Sequence, residues 1–140
     1  MDARGDTRKS FMDFTKITLQ SSPQYKLQQL AETNEDGLRT VNGRYCIAVG
    51  SRYTTLIGQY IDLILENGEI IPCILGDQKD DKHTDEENMI ALDGSLSEYI
   101  VETDRLCANA KVTGDVSYLK KKWKSNVSEV IVYCKNLFTQ

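Results

Sequence analysis

Asn67-Gly68 stands between two runs rich in β-branched and apolar residues, 59–65 and 70–75, and limits what the chain can fold into more than any other feature. Such a step predicts a β-hairpin closed by a type I′ turn, which needs φ > 0 at both central residues. Pro72 removes one backbone donor from the second run and predicts an edge or bulge position there. Residues 44–50 form a short, mostly apolar run ending in Gly50, the pattern of a buried strand. Residues 96–101 and 127–133 add two extended runs, and part of 11–19 is expected to be extended as well. Two short helices are expected: 25–31, where Leu27 and Leu30 stand three apart, and 103–111, with Thr103 as N-cap. The reading is a mainly β domain with Cys46, Ile47, Val49, Ile61, Leu63, Ile74, Ile100, Val130 and Val132 in its core.

A chain of 140 residues fits one domain, and no apolar run is long enough to span a membrane. The formal net charge of −4 argues against a nucleic-acid partner, although Lys120, Lys121, Lys122 and Lys124 cluster around Trp123. That cluster also reads as a solvated turn before the last strand. The four cysteines lie far apart with no C-x-x-C pair, which argues against a zinc site. Cys46, Cys73 and Cys134 sit in apolar runs and read as small core residues, with a disulfide left open. Residues 1–9 are polar and show no apolar h-region, which leaves two origins open: a cytoplasmic chain, or a piece of a longer secreted one.

The single histidine, His83, lies in a long polar segment over 76–94, where it reads as a catalytic base or as a solvated loop residue. That segment holds six carboxylates between Asp77 and Glu87. A calcium loop would want oxygen ligands where Lys79 and His83 fall, so a solvated acidic loop with no metal is the reading. Asp77 and Glu98 stand apart. Asp77 follows Gly76 at the end of an apolar strand, and Glu98 lies within one whose alternate residues face opposite ways. A carboxyl among buried neighbours is held protonated by desolvation, as a general acid requires. Two placements of Glu98 are open at this point, one buried and one facing solvent.

An ordered series runs through Tyr45-Cys-Ile-Ala-Val-Gly50, Ile57-Gly58, Asp62-Leu63, Asn67-Gly68 and Pro72-Cys-Ile-Leu-Gly-Asp77. It continues through Lys79, His83-Thr84, Gly94, Ser97-Glu-Tyr-Ile-Val101 and Gly114-Asp115-Val. Together with Met12-Asp13 and Ser22-Pro-Gln-Tyr25, the series resembles a module of phage-derived and wall-associated proteins of Gram-positive bacteria. That module is in turn similar to the three-aspartate domain, a double-psi β-barrel shared with lytic transglycosylases.

The resemblance implies a six-stranded double-psi barrel over 38–140, with residues 1–37 as an N-terminal extension packed on it. It lays the family's two functional carboxylates on Asp77 and Glu98, with Glu98 as acid/base and Asp77 as its polar partner. Lys79, His83, Tyr99 and Tyr53 are the expected substrate-binding residues, and Tyr60 is a further candidate for stacking on sugar. The connection between the carboxylates is longer and more acidic than in the family and lacks its Gly-Gly. The implied function is action on peptidoglycan or another wall glycan, with no cofactor, in an extracellular or wall-associated part of a longer chain. The alternative is a non-catalytic wall-binding or phage structural module, since a fold does not fix a function.

Overall fold

The computed structural model of the chain describes residues 1, 3, 8–91 and 94–139. Among them eight strands form one open mixed sheet: β1 (Ser10–Asp13), β2 (Glu32–Thr33), β3 (Arg39–Val41), β4 (Arg44–Val49), β5 (Gln59–Leu65), β6 (Ile70–Gln78), β7 (Glu98–Val101) and β8 (Val127–Asn136). Two α-helices accompany them, α1 (Pro23–Leu30) and α2 (Ala108–Thr113). The main path runs β1-β7-β4-β6-β5-β8, with β3 on β4 and β2 on β3. The β1/β7 and β4/β6 pairs are parallel, and the β4/β7, β5/β6 and β5/β8 pairs are antiparallel. None of the described helices is long and apolar enough to cross a membrane.

The hairpin between β5 and β6 forms, with Ile64 opposite Ile70, but its turn is not type I′. Only Gly68 has positive φ, at 89°. Gly68 N–H donates to Leu65 O and Leu65 N–H to Glu69 O, both at 2.9 Å, which makes a three-residue loop ending in a left-handed glycine. Asn67 is held from outside, its amide donating to Lys122 O at 2.8 Å and its N–H to Ser125 Oγ at 3.2 Å. The type I′ geometry appears instead at Asn42-Gly43 between β3 and β4, with φ of 51° and 75°.

Three further expectations are corrected. Pro72 lies in a central strand, opposite Asp62, but one residue before the β4/β6 pairing begins at Cys73, so no β4 residue pairs with it. The helix expected from Thr103 begins at Ala108, with Cys107 as N-cap, and Thr103 starts a separate 3₁₀ turn. The segment 76–94 is not all loop. Its first residues extend β6 to Gln78, and Asp81–His83 make a 3₁₀ turn in which the Asp80 carboxylate accepts Lys82 N–H at 3.2 Å.

The sheet buries apolar residues on both faces. One face carries Ile47, Val49, Ile61, Leu63, Leu75 and Tyr99, closed by Trp123. The Trp123 ring lies 5.1 Å from Tyr45, edge-on, and 5.4 Å from Tyr99, so it anchors the core. Of the lysines around it, Lys124 instead places its Nζ 3.5 Å from the ring centre of the exposed Tyr118. The other face packs Cys46, Ile74 and Ile100 under Leu27 of α1. Of the nine expected core residues eight are buried, and Val132 is partly so. All four cysteines are free. Cys46 and Cys73 are buried, whereas Cys134 is exposed, because β8 has three residues between Val132 and Asn136 where β5 has one between Ile61 and Gln59. The N-terminus lies along β8: Met1 amine donates to Val130 O at 2.7 Å, Val130 N–H to Met1 O at 2.8 Å and Ala3 N–H to Ser128 O at 3.3 Å.

Candidate functional site

Asp77 owes its position to a bulge. Ile47 pairs with Leu75, but the next residue, Ala48, pairs with Asp77, so Gly76 is one residue too many for the β4 ladder. A Cβ on Gly76 would meet Ile100 Cδ1 at 2.6 Å and Cys46 Cβ at 3.3 Å, so that position points to the α1 face. Strict alternation would then turn Asp77 into the apolar face with Leu75. The extra residue keeps it on the α1 face, beside Ser22 and Gln24.

Glu98 approaches the same row from the other side. It pairs with Ala48 in β4 and with Ser10 in β1, and its neighbour Tyr99 points into the opposite core. Asp77 and Glu98 therefore flank Ala48 on one face, two strand spacings apart, about 10 Å at the backbone. Glu98 is partly buried.

The segment linking β1 to α1 supplies the wall in front of Asp77. Ser22 caps α1, its Oγ accepting Tyr25 N–H at 3.1 Å and donating to Leu19 O at 2.7 Å, and Pro23 fits the first helical turn without needing a donor. Lys16, Thr18, Ser22, Gln24 and Asp77 line a cavity of about 320 Å³. A second cavity of similar size adjoins it through Ile17 and Thr18 and is walled by Phe14, Tyr25 and Arg39. Arg39 is fixed there, with Nε on Gln28 Oε1 at 3.0 Å and its guanidinium 4.3 Å from the Phe14 ring centre.

Burial raises the Asp77 carboxyl above its ordinary value, and the Gln78 N–H, 2.8 Å from Oδ1, and the Gln24 side chain only partly offset it. A carboxyl so placed holds its proton to higher pH while facing an open cavity, the condition for donating it to a bound group. Asp13, at the end of β1, is the reverse case. Burial pushes it up, but hydrogen bonds from the side chain and N–H of Thr15 and of Thr103 outweigh that and bring it to about 2.

The other expected site residues are not gathered around Asp77. Lys79 is nine-tenths buried, its N–H on Val49 O at 3.2 Å, and His83 is exposed in the 3₁₀ turn. Tyr53 and Tyr99 are buried in the apolar core and present no ring face to a ligand, and Tyr60 is buried as well. Lys16, Thr18, Ser22 and Gln24 were not anticipated, although Ser22-Pro23 is a helix-start signature that brings Gln24 to the first turn. Among the described residues no three His, Cys, Asp or Glu side chains gather as metal ligands. No family model, curated protein or solved structure matches the chain.

Proposed function

We propose that this chain acts on cell-wall glycan, with Asp77 as the group that donates and recovers a proton and Glu98 as a second carboxylate in the same row. One observation carries the reading: a carboxyl held up by burial stands at the wall of an open cavity lined with two hydroxyls, an amide and an ammonium beside Ile17 and Leu19. Lytic cleavage of a glycan needs one such group, which protonates the glycosidic oxygen and then accepts the proton of the sugar's own hydroxyl. Hydrolysis would need two carboxylates at a set separation. The resemblance assigned the acid to Glu98, and the cavity and the burial favour Asp77.

The reading includes closure of the sheet into a six-stranded double-psi-type barrel. It is supported by the N-terminal stretch, whose first residues bond to β8 while Ser10–Asp13 pairs with β7 at the far end of the strand order. It also includes a wall-associated setting within a longer chain. The test is release of soluble muropeptides from purified sacculi by the wild type, Asp77→Asn and Glu98→Gln. Asp77→Asn is expected to lose release by about 10²-fold or more, and Glu98→Gln by less. Equal release by Asp77→Asn overturns the assignment, and no release by the wild type leaves the non-catalytic wall-binding or phage structural module.

A further inference from the structure

Beyond α1 the same face of the sheet continues onto Arg44 of β4, Tyr60 and Asp62 of β5, and Tyr133 and Lys135 of β8. Arg44 Nη1 donates to Asp62 Oδ1 at 2.8 Å and to the Ile61 and Cys73 carbonyls at 3.2 and 3.1 Å. Its guanidinium carbon lies 4.6 Å from the Tyr60 ring centre and 5.7 Å from that of Tyr133. The other Asp62 oxygen accepts the Tyr133 hydroxyl at 2.6 Å, and Asn42 donates to the Tyr60 hydroxyl at 3.1 Å. Lys135 Nζ is 5.1 Å from the Tyr60 ring centre and has no carboxylate partner among the described residues. Tyr133 is 37% exposed.

We propose that this cluster is a saccharide-binding surface separate from the Asp77 cavity, seating one sugar ring on Tyr133 and a carboxylate of that sugar on Lys135. The C–H face of a pyranose packs on a flat aromatic ring, and a ring already fixed in its plane loses little freedom when it does so. Tyr133 is fixed in that way, by Asp62 at its hydroxyl and by Arg44 beside its ring. Arg44 and Lys135 outnumber Asp62, so the patch carries excess positive charge on a chain of formal net charge −4. That local sign complements an acidic sugar and not a neutral one. The partly buried Arg44–Asp62 pair already has its partners, and stability does not call for an exposed ring or a cation lacking a carboxylate beside it.

The choice of ligand rests on the wall-glycan reading, but the surface does not use Asp77. The test titrates the folded chain with the disaccharide of N-acetylglucosamine and N-acetylmuramic acid, and with neutral diacetylchitobiose, following affinity by calorimetry and contact by amide shifts. The carboxylated disaccharide is expected to shift the β8 amides around Tyr133 and to bind more tightly than the neutral one. Tyr133→Ala weakens binding by roughly five- to tenfold, and Tyr133→Phe, which keeps the ring but loses its bond to Asp62, falls between Tyr133→Ala and wild type. Lys135→Ala, at an exposed position that leaves the core untouched, removes the preference for the carboxylated sugar. Wild-type shifts confined to the β1–α1 segment, unchanged affinity in folded Tyr133→Ala, or an unchanged preference in Lys135→Ala each overturn the proposal. Asp77→Asn keeps the β8 shifts, so failure of the cleavage reading appears in muropeptide release and failure of this one in the titration.

Discussion

Asp13 and Asp77 are the same side chain on strands of one sheet, and their surroundings send them in opposite directions. Asp13 accepts Thr103 N–H at 2.8 Å and Thr103 Oγ1 at 2.7 Å on one oxygen, and the N–H and hydroxyl of Thr15 on the other. Four donors stabilise the anion against burial and join the end of β1 to the turn after β7. Asp77 has one backbone N–H and one amide, and burial prevails. What separates the lowered carboxyl from the raised one here is the number of donors that reach each together with the deeper burial of Asp77.

The largest expected effect breaks that comparison at Asp77. Asp77→Asn keeps the shape of the side chain and removes the proton, so muropeptide release falls by about 10²-fold or more. Release by the wild type also falls as pH rises through the Asp77 value, because the donor must be protonated. Asp13→Asn leaves release by folded protein unchanged, since Asp13 has no oxygen to spare for a ligand. A rate that depends on Asp13 and not on Asp77 inverts the comparison.

The next effect comes from the backbone that aims Asp77. In Gly76→Val a branched side chain must enter space where Cβ alone lies 2.6 Å from Ile100 Cδ1. The expected cost is about 1–3 kcal/mol in urea unfolding, as in other overpacked cores. Release should fall further than the lost stability explains, because relief of the clash shifts the bulge and turns Asp77 from its cavity. Unchanged stability would mean that the bulge yields freely and does not fix the carboxylate.

These two predictions mark where the sequence was legible. The runs at 44–50, 59–65 and 127–133 alternate or stay apolar over strand lengths, and β4, β5 and β8 follow them because side-chain period is a local property. The two Asn-Gly steps were not distinguishable in the same way: Asn42-Gly43 adopts the type I′ turn, while Lys122 and Ser125 hold Asn67 out of it. The face of Asp77 was out of reach for the same reason. One extra residue against β4 decides it, and nothing in Leu75-Gly76-Asp77 says which partner strand will be short by one. Tyr99 and Trp123 are polar-tipped aromatics that read equally well as ligand platforms or as core, and only their mutual packing at 5.4 Å settles them as core.

A smaller effect tests the other side of the comparison. Asp13→Ala leaves the N–H of Thr15 and of Thr103 without their acceptor and should cost about 1–2 kcal/mol, the range for lost capping residues. Its pH dependence has a fixed sign. The Asp13 value falls from 3.8 unfolded to about 2 folded, so its contribution is present above roughly pH 4 and is lost as pH drops towards 2. The stability gap between wild type and Asp13→Ala should therefore close across that window in acid unfolding followed by circular dichroism. A constant gap would show that the donors recognise the side chain's shape and not its charge.

The smallest effect has the opposite sign and belongs to Asp77. Its carboxyl has an ordinary value of 3.8 in the unfolded chain and a higher one when folded, so the folded state holds the proton more tightly. The stability this gives is full below about pH 4 and is lost as pH rises through the raised value. Once the pH exceeds its ordinary value the half-buried carboxyl is therefore a net cost, which Asp77→Asn removes while its amide oxygen still accepts the Gln78 N–H. The variant that abolishes release should melt slightly above wild type at pH 7, and the two should converge near pH 3, where the wild-type carboxyl is neutral as well. Thermal melts at both pH values read this directly. If Asp77→Asn melts lower at pH 7, the carboxylate is stabilised by partners as Asp13 is, and the contrast that assigns the two residues different work fails.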